Sequence, residues 1–569
     1  MSSTNLAKIR RERMLKTINE IKNKTTDEET LNNLSLIENE LTKKKYGLIW
    51  EEHEERVDKE LETQIPTFED VKEKEIVSNQ ESDYNFLLEG DNLHSLYLLQ
   101  KTHTNRIDLI YIDPPYNTGN KDFVYSDDTV DLEDGFRHSK WLSFMARRLK
   151  IARNLLSDRG VIFISIDDNE QSQLKLLCDD IFGEEHFLGL ITVVGNPRGR
   201  DYGGIAKMND YLLVYSKTGK YVLNKIEDKE HVFKMKDELG GFELRELRNR
   251  NIKFNDKNRP NLCYPFYVNP NSKDEHGLLE ISLENKDGYI EVMPAMSQGI
   301  QTVWRWGKEK SLKNLNINIK GKAMKEKGRY MIVEKYRDEK VMPRSVWWDK
   351  DTNTEKGTLL LKEILGDKSF DYPKPVELIK RICEMSTDKD SIILDFFAGS
   401  GTTGQAVMSL NNSDGGNRKY ILCTNNENNI CENVTYRRLY NIINGYKNSK
   451  NEIVKEYENI NLKYYRCTNI PKINNDNENL HLNLLKDIKN LIQLENGISV
   501  DDIKIQVYLD EDSFDKFTEN DELLDNCNKV YISSDILLTS SQERKLQDNN
   551  IDLYIIPEYY FDEEIMEVA

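Results

Sequence analysis

The sequence predicts an α/β protein with a mostly parallel sheet, interrupted by a large insert of different character. Three observations carry that expectation. Short β-branched runs alternate with amphipathic helical segments over 84–217 and again over 371–430. Between them, at 218–370, the rhythm gives way to Lys, Asn, aromatics and brief two-residue alternation, which reads as an inserted α+β unit. Polar loops directly follow two of the apolar strands, where open parallel sheets place their ligands. At 569 residues the chain is too long for one core, and a 38% hydrophobic content with 28 Tyr and 18 Phe is enough to build several.

Residues 1–65 read as an N-terminal helical arm, with Ile9, Ile18, Ile21, Leu34, Ile37 and Leu41 at roughly helical spacing and a break near 25–30. Residues 66–217 hold the first α/β portion. It comprises a strand, turn and helix at 86–100, a buried strand at 106–113, an amphipathic helix at 141–156 and strands at 161–167 and 210–217. The insert follows at 218–370. Residues 371–450 resume the pattern with a helix at 374–386, a strand at 391–397, a Gly-rich turn, a helix at 404–411 and a strand at 419–427. The stretch from about 430 to 497 reads as helical. Residues 451–569 form an acidic C-terminal unit, whose segments KIQVYLD, KVYISSDI and IDLYIIPEYY suggest a small α/β fold beyond about 500.

A net charge of −19 argues at first against a nucleic-acid partner, but its distribution removes the objection. Residues 471–569 carry 8 Lys+Arg against 23 Asp+Glu. Residues 198–350 carry 31 against 22, and 301–350 alone carry 14 against 6. The N-terminal MSSTNLAKIRRERMLK is charged where a signal peptide is apolar, and no run approaches the roughly 18 apolar residues of a membrane span. The expectation is a cytoplasmic protein. Seven Cys without a C-x-x-C pair or clustered His point to neither a disulfide framework nor a metal site.

Two motifs carry chemistry. Asp113-Pro114-Pro115-Tyr116 follows the strand at 106–113. Two prolines stiffen the loop and leave carbonyls without competing N–H groups. A carboxylate, a fixed carbonyl and an aromatic ring together suit a planar base with an exocyclic amine. Asp113 and the Pro114 carbonyl would accept the amine's two N–H bonds while Tyr116 stacks, stabilising positive charge that grows as the amine attacks an electrophile. The second motif is Asp395-Phe396-Phe397-Ala398-Gly399-Ser400-Gly401-Thr402-Thr403, between strand and helix. Its glycines admit close backbone approach of a ligand at a helix N-terminus. No Gly-Lys-Ser/Thr follows, so it is not a P-loop. Gly399, Gly401 and Gly404 match dinucleotide spacing, which keeps a nicotinamide-dependent enzyme among the alternatives. Glu427, at the end of the next strand, suits ribose hydroxyls.

Together, and in this order, the motifs resemble those of the β-class amino-methyltransferases that act on DNA with S-adenosylmethionine. The longer runs YIDPPYNTGNKDFVYSDD and DRGVIFISIDDNE look specifically like the modification subunit of type III restriction–modification systems. The resemblance implies a Rossmann-like methyltransferase domain with permuted motif order and a target-recognition domain inserted at 218–370. It implies that Asp113, Pro114, Pro115 and Tyr116 hold the target base, and that the run from Asp395 to Gly399, with Gly401, Thr402 and Thr403, lines the cofactor. Glu427 would bind ribose. Asp91, Asn92 and Leu93 resemble the segment beside the cofactor adenine, and Lys374-Pro375 the block packed beside the cofactor. Asp rather than Ser at 113 favours adenine N6 over cytosine N4. Double-stranded DNA, a homodimer and a nuclease-bearing restriction subunit are the implied partners; a structural specificity role or a stand-alone epigenetic enzyme are the alternatives.

The basic aromatic insert is the expected DNA reader, through Trp304, Arg305, Trp306 and Arg344 in VWRWGKEK and PRSVWW. Arg198 and Arg200, in the loop NPRGRDYGG, are placed on phosphates. The alternative for each aromatic is an ordinary place in a core.

Overall fold

Strand, helix and loop placements come from a computed structural model, which describes residues 6–25, 27–42, 50–79, 82–119, 123–125, 128–129, 134–199, 204–227, 232–326, 328–455, 457–471, 477–500, 502–557 and 560. The chain divides into two units, one of 1–224 with 344–569 and one of 225–343.

The larger unit is built on a ten-stranded sheet. In chain order its strands are β1 (Gln64–Asp70), β2 (Tyr84–Glu89), β3 (Ile107–Ile112), β4 (Leu156–Ile166), β5 (Phe187–Val194), β6 (Asn209–Ser216), β7 (Val346–Trp347), β8 (Ile392–Asp395), β9 (Lys419–Thr424) and β10 (Asn461–Pro471). They lie in the order β1-β10-β2-β9-β8-β3-β4-β6-β5-β7. The run from β10 to β4 is parallel throughout, while β1 is antiparallel to β10 and β6 is antiparallel to both its neighbours. A mostly parallel sheet is what the sequence predicts. Its central strands read as continuous apolar runs because helices cover both faces: Ile107, Leu109, Ile110 and Ile112 are fully buried.

The helices that matter for the site start at that sheet's carboxyl edge. Helix α1 (Leu6–Lys22), α2 (Glu28–Thr42) and α3 (Arg56–Thr63) make the arm. Helix α4 (Asn92–His103) starts at Asp91, whose carboxylate accepts the Leu93 N–H at 2.7 Å. Helix α5 (Arg137–Leu155) follows β3, and α6 (Gln171–Phe182) follows β4. Helix α7 (Thr354–Leu365) ends at Gly366 in the left-handed region, α8 (Val376–Ser386) follows Pro375, and α9 (Thr402–Asp414) starts from Gly401. No helix among the described residues is long and apolar enough to cross a membrane.

Three expectations are corrected. The stretch 430–497 is not continuously helical: after α10 (Arg437–Asn444) the chain forms β10, an eleven-residue strand that inserts between β1 and β2 before α11 (Asn477–Asn496). NLKYYRCTNIP is rich in strand formers, and its pairing partners lie 377 to 407 residues away in sequence, from Tyr84↔Asn461 to Gln64↔Pro471. Consequently no boundary falls at 451. Asp487 of α11 accepts the Phe68 N–H at 2.7 Å, and only Ile505–Tyr508, Lys529–Ile532 and Asp552–Ile555 form the separate small parallel sheet. The insert is also shorter than 218–370. Residues 344–370 return to the larger unit, where β7 pairs with β5 and α7 starts at Thr354 on the cleft described below.

The insert itself is mostly β. Met235–Asp237, Gly240–Glu246, Tyr330–Tyr336 and Ile319–Ala323 form an antiparallel sheet. Beside it lie a small three-stranded sheet and the helix Lys308–Asn314. Its core gathers Leu247, Tyr264, Phe266, Ile281, Trp304 and Ile332. Trp304 as a DNA contact is therefore overturned: it is 2% exposed, its indole N–H donates to the Tyr264 carbonyl at 2.7 Å, and its ring meets Phe266 edge-on. An indole so enclosed has no free face to stack on a base.

Candidate active site

Four parallel neighbours, β2, β9, β8 and β3, end at one edge of the sheet, and the loops leaving them wall a cleft of about 1050 Å³. Because β6 runs antiparallel, its beginning arrives at this same edge, as does the end of β5 with Gly195 and Asn196.

Asp113, Pro114, Pro115 and Tyr116 line the cleft together. The Trp141 indole of α5 donates to the Pro115 carbonyl at 2.7 Å, and the Tyr116 hydroxyl donates to Asp113 Oδ1 at 2.9 Å. Lys374 completes the group. Its ammonium lies 2.5 Å from the Tyr116 oxygen, 3.2 Å from Asp113 Oδ1 and 3.6 Å from Asp210 Oδ2 on β6. Burial pushes the Asp113 carboxyl up, and the Lys374 charge opposes it. Burial pushes the Tyr116 phenol far above its usual range, so it serves as a neutral donor.

Behind the loop, Asn117 takes a left-handed conformation at φ 56° and donates to Glu170 Oε1 at 2.5 Å. His138 Nδ1 lies 2.6 Å from the same oxygen. Burial lifts the Glu170 carboxyl to about 8.

The glycine turn forms the facing wall. Phe396, Phe397 and Gly399 line the cleft, whereas Asp395, Ala398, Gly401, Thr402 and Thr403 stand behind that surface and shape it. Asp395, 2% exposed, accepts from the Phe397 N–H at 3.0 Å and from the Thr403 hydroxyl, and burial without a cation raises its carboxyl to about 7. Gly399 and Gly401 have φ of 47° and 75°. A Cβ on Gly401 would stand 3.1 Å from Thr435 Cγ2. The buried Arg438 holds the turn from the rear, donating to Thr402 Oγ1 at 2.9 Å, the Ser400 carbonyl at 3.2 Å and Gln405 Oε1 at 2.7 Å.

The third wall follows β2. Asp91 and Asn92 line the cleft, while Leu93 is buried beneath them. Asn92 donates to the Phe396 carbonyl at 2.9 Å, joining this turn to the glycine turn. The fully buried Arg148 donates to Asn92 and reaches Glu55 at 2.8 Å and Asp91 at 3.3 Å. Across the opening Glu427 is exposed, and its carboxylate has no partner among the described residues. Its neighbour Asn426 is pinned to Glu89 at 3.1 Å.

The cleft is acidic. It is lined by eight carboxyl side chains and three cations, each cation already paired: Arg56 with Glu60, Lys207 with Asp168 and Lys374 with Asp113. Such a wall repels a pyrophosphate and attracts a cation, which disfavours a dinucleotide despite the glycine spacing.

The structure thus brings together every motif residue placed by sequence except those that stand behind the wall: Leu93, Pro375, Asp395, Ala398, Gly401, Thr402 and Thr403. Lys374 is shifted in role, with its ammonium on Tyr116 and Asp113 and not on the glycine turn. Of the remaining DNA contacts expected, Arg198 is exposed two residues beyond Asn196 of the cleft edge, and Arg344 is exposed. In the insert Arg305 is exposed and tied to Glu334 at 2.6 Å, and Trp306 is half-buried beneath Lys310. Arg200 lies outside the described residues. Sequence reading missed Asp210, Arg148, Glu55 and Arg438. Asp210 carries no local signal, since its place depends on the direction of β6; Arg148 and Arg438 read as surface charge on helices.

A family model described as "DNA methylase" matches residues 107–437. The chain is 36% identical over 431 residues to the type III restriction-modification enzyme EcoPI Mod subunit of Escherichia phage P1, covering 68% of this chain and 65% of that one. It is 37% identical over 343 residues to the type II methyltransferase M.KpnI of Klebsiella pneumoniae, covering 59% and 79%. It is 35% identical over 382 residues to the type III StyLTI Mod subunit of Salmonella typhimurium, covering 62% and 54%. The matched part spans about two thirds of the phage subunit's length and about half of the Salmonella one's.

Proposed function

Since this chain belongs to the DNA methylase family, we propose that it transfers a methyl group from S-adenosylmethionine to the N6 amine of an adenine turned out of double-stranded DNA. The observation that carries this reading is the convergence of Asp113–Tyr116 and the glycine turn on one acidic cleft.

The cleft's donor set fits the cofactor. Glu427, exposed and unpaired among the described residues, suits vicinal ribose hydroxyls; Phe396 and Phe397 offer apolar surface; and the carboxyl-rich wall suits a sulfonium. When bound, the cofactor supplies an electrophilic methyl group. The chain's own residues do the rest. Both recorded partners of Asp113 engage Oδ1, so among the described residues no donor competes for Oδ2, which accepts one amine N–H. The Pro114 carbonyl accepts the other. These two acceptors draw the amine nitrogen toward tetrahedral geometry and stabilise the charge that grows on it during in-line attack. Tyr116 offers its ring to the base, and an extruded base costs a few kcal/mol of stacking that such contacts offset. The nitrogen–methyl bond would form as the methyl–sulfur bond breaks, with the bonding pair leaving on sulfur as a neutral thioether. The amine proton then passes to water in the cleft after charge has formed, so no prior general base is needed.

Asp at 113 favours adenine over cytosine within the family. The type III Mod subunits among the relatives support reading this chain as a modification subunit. On this reading it works in the cytoplasm as a homodimer beside a nuclease-bearing restriction subunit, with the basic insert reading the duplex. The test is expression in a methylation-free host, followed by nucleoside mass spectrometry and sequencing of modified positions. N6-methyladenine at a defined sequence is the expected result; N4-methylcytosine would move the substrate to the other base, and unmodified DNA would overturn the activity.

A further inference from the structure

We propose that Lys374 is a positioning residue for the base-binding loop, and that Asp210 sets how much of the lysine's charge Asp113 receives. The inference rests on the methyl-transfer reading above and deepens it.

Lys374 joins the two walls of the cleft. Its carbonyl accepts the Thr402 hydroxyl of α9 at 3.3 Å, and a residue before proline is confined to extended conformations. Its side chain, 12% exposed, points the other way, to Tyr116 and Asp113. The ammonium lies 4.9 Å from the Tyr116 ring centroid, so it also braces the ring's orientation. A residue whose backbone is fixed by the cofactor wall and whose charge is spent on the base wall sets the spacing between the two reactants.

The charge has a second task. Asp113 offers Oδ2 as a full acceptor for the amine N–H, and meets the charge that grows on the amine, only while it is ionised. The groups facing it are Tyr116 on its own loop, Tyr111 on β3, Asp210 on β6, Asp395 on β8 and Lys374 before α8. The Tyr116 hydroxyl donates to Asp113 and favours its ionised form without adding charge, whereas the Asp210 carboxylate disfavours it. Lys374 is the one cation within ion-pair distance among the described residues. It is shared with Asp210, which competes for its charge and repels the Asp113 carboxylate. The two neighbours therefore pull the ionisation of Asp113 in opposite directions.

The experiment is steady-state methylation of duplex DNA from pH 5.5 to 9 by the full chain and by Lys374→Met, Lys374→Arg and Asp210→Asn, with cofactor affinity measured by calorimetry. Lys374→Met should lower kcat roughly a hundredfold near neutrality and move the acid limb to higher pH, with cofactor Kd changed by less than about threefold. Lys374→Arg, which keeps the charge, should recover part of the rate. Asp210→Asn should move the acid limb to lower pH. A Lys374→Met variant that loses cofactor affinity about tenfold or more while keeping kcat and its acid limb would assign the lysine to the cofactor and overturn the proposal. An acid limb that moves upward in Asp210→Asn would overturn it as well, and this variant decides the matter if Lys374→Met does not fold. A wild-type chain that methylates neither base would overturn the functional reading, and the proposal with it.

Discussion

Asp113 and Asp395 sit at the ends of neighbouring parallel strands, β3 and β8, and are supported by opposite means. Asp113 opens a loop stiffened by two prolines and held by side chains: a phenol, an ammonium and, behind them, a second carboxylate. Asp395 opens a turn of glycines held through the backbone. Its carboxyl receives one N–H and one hydroxyl, it faces no cation at ion-pair distance among the described residues, and the guanidinium of Arg438 grips the turn at Ser400 and Thr402. On the proposed function, the difference follows from what each loop would meet. A base that gains positive charge needs a fixed negative partner, so charge is concentrated at β3. A ligand that must approach the main chain closely needs space and unshielded N–H groups, so charge is withdrawn behind the turn at β8 and its cleft face carries only Phe396, Phe397 and glycine.

Removing the charge at β3 should have the largest effect. Asp113→Ala deletes one of two acceptors for the amine and leaves the cofactor wall intact. Methyl transfer should fall by at least about a thousandfold, with cofactor Kd by calorimetry within about threefold of wild type. Activity within tenfold of wild type would break the comparison at its strongest point.

Crowding the turn at β8 should have a smaller effect of the opposite kind. Gly401→Val places a β-branched side chain at φ 75° against Thr435, at a cost of about 2 kcal/mol. That strain is carried by the free and bound chain alike; affinity falls because the turn's backbone must shift to relieve it, and a cofactor Kd weaker by about tenfold or more is expected, with kcat at saturating cofactor much less affected. Unchanged affinity would show that the turn does not meet its ligand through its backbone.

Both loops were legible in the sequence because each is written in contiguous residues whose types restrict the main chain: consecutive prolines in one, closely spaced glycines in the other. What holds the loops was not. Asp210 reaches the cleft only because β6 runs against β4, a direction that periodicity along one strand does not encode. The Lys374 backbone meets the glycine turn through Thr402, and only its side-chain direction carries its charge to the loop of Asp113 and Tyr116. Arg148 and Arg438 belong to amphipathic helices, where a buried cation and a solvated one look alike until its acceptors are in place. Trp304 was misjudged for the same reason: composition marks the insert as basic and aromatic, and the fold decides which aromatics make the core. Strand β10 escaped notice because its β pattern is completed by partners distant in sequence.

The subtlest consequence of the comparison concerns pH. Asp395, buried without a cation, has its carboxyl raised to about 7, whereas in the unfolded chain it titrates near 4. The folded state therefore holds a proton that the unfolded state releases over that interval. The stability this confers is fully present below about pH 4 and is lost as the pH rises through about 7. Asp395→Asn cannot titrate and keeps one acceptor for the Phe397 N–H or the Thr403 hydroxyl. Its stability relative to wild type should rise by on the order of 1–2 kcal/mol between pH 5 and 7, measured as the difference in urea midpoints of the two proteins at each pH. Taking that difference cancels the contributions of Glu170 and Asp487, whose carboxyls burial also raises. A difference that stays constant across the interval would mean that Asp395 is ionised in the folded chain, and that the turn at β8 carries a working negative charge like the loop at β3.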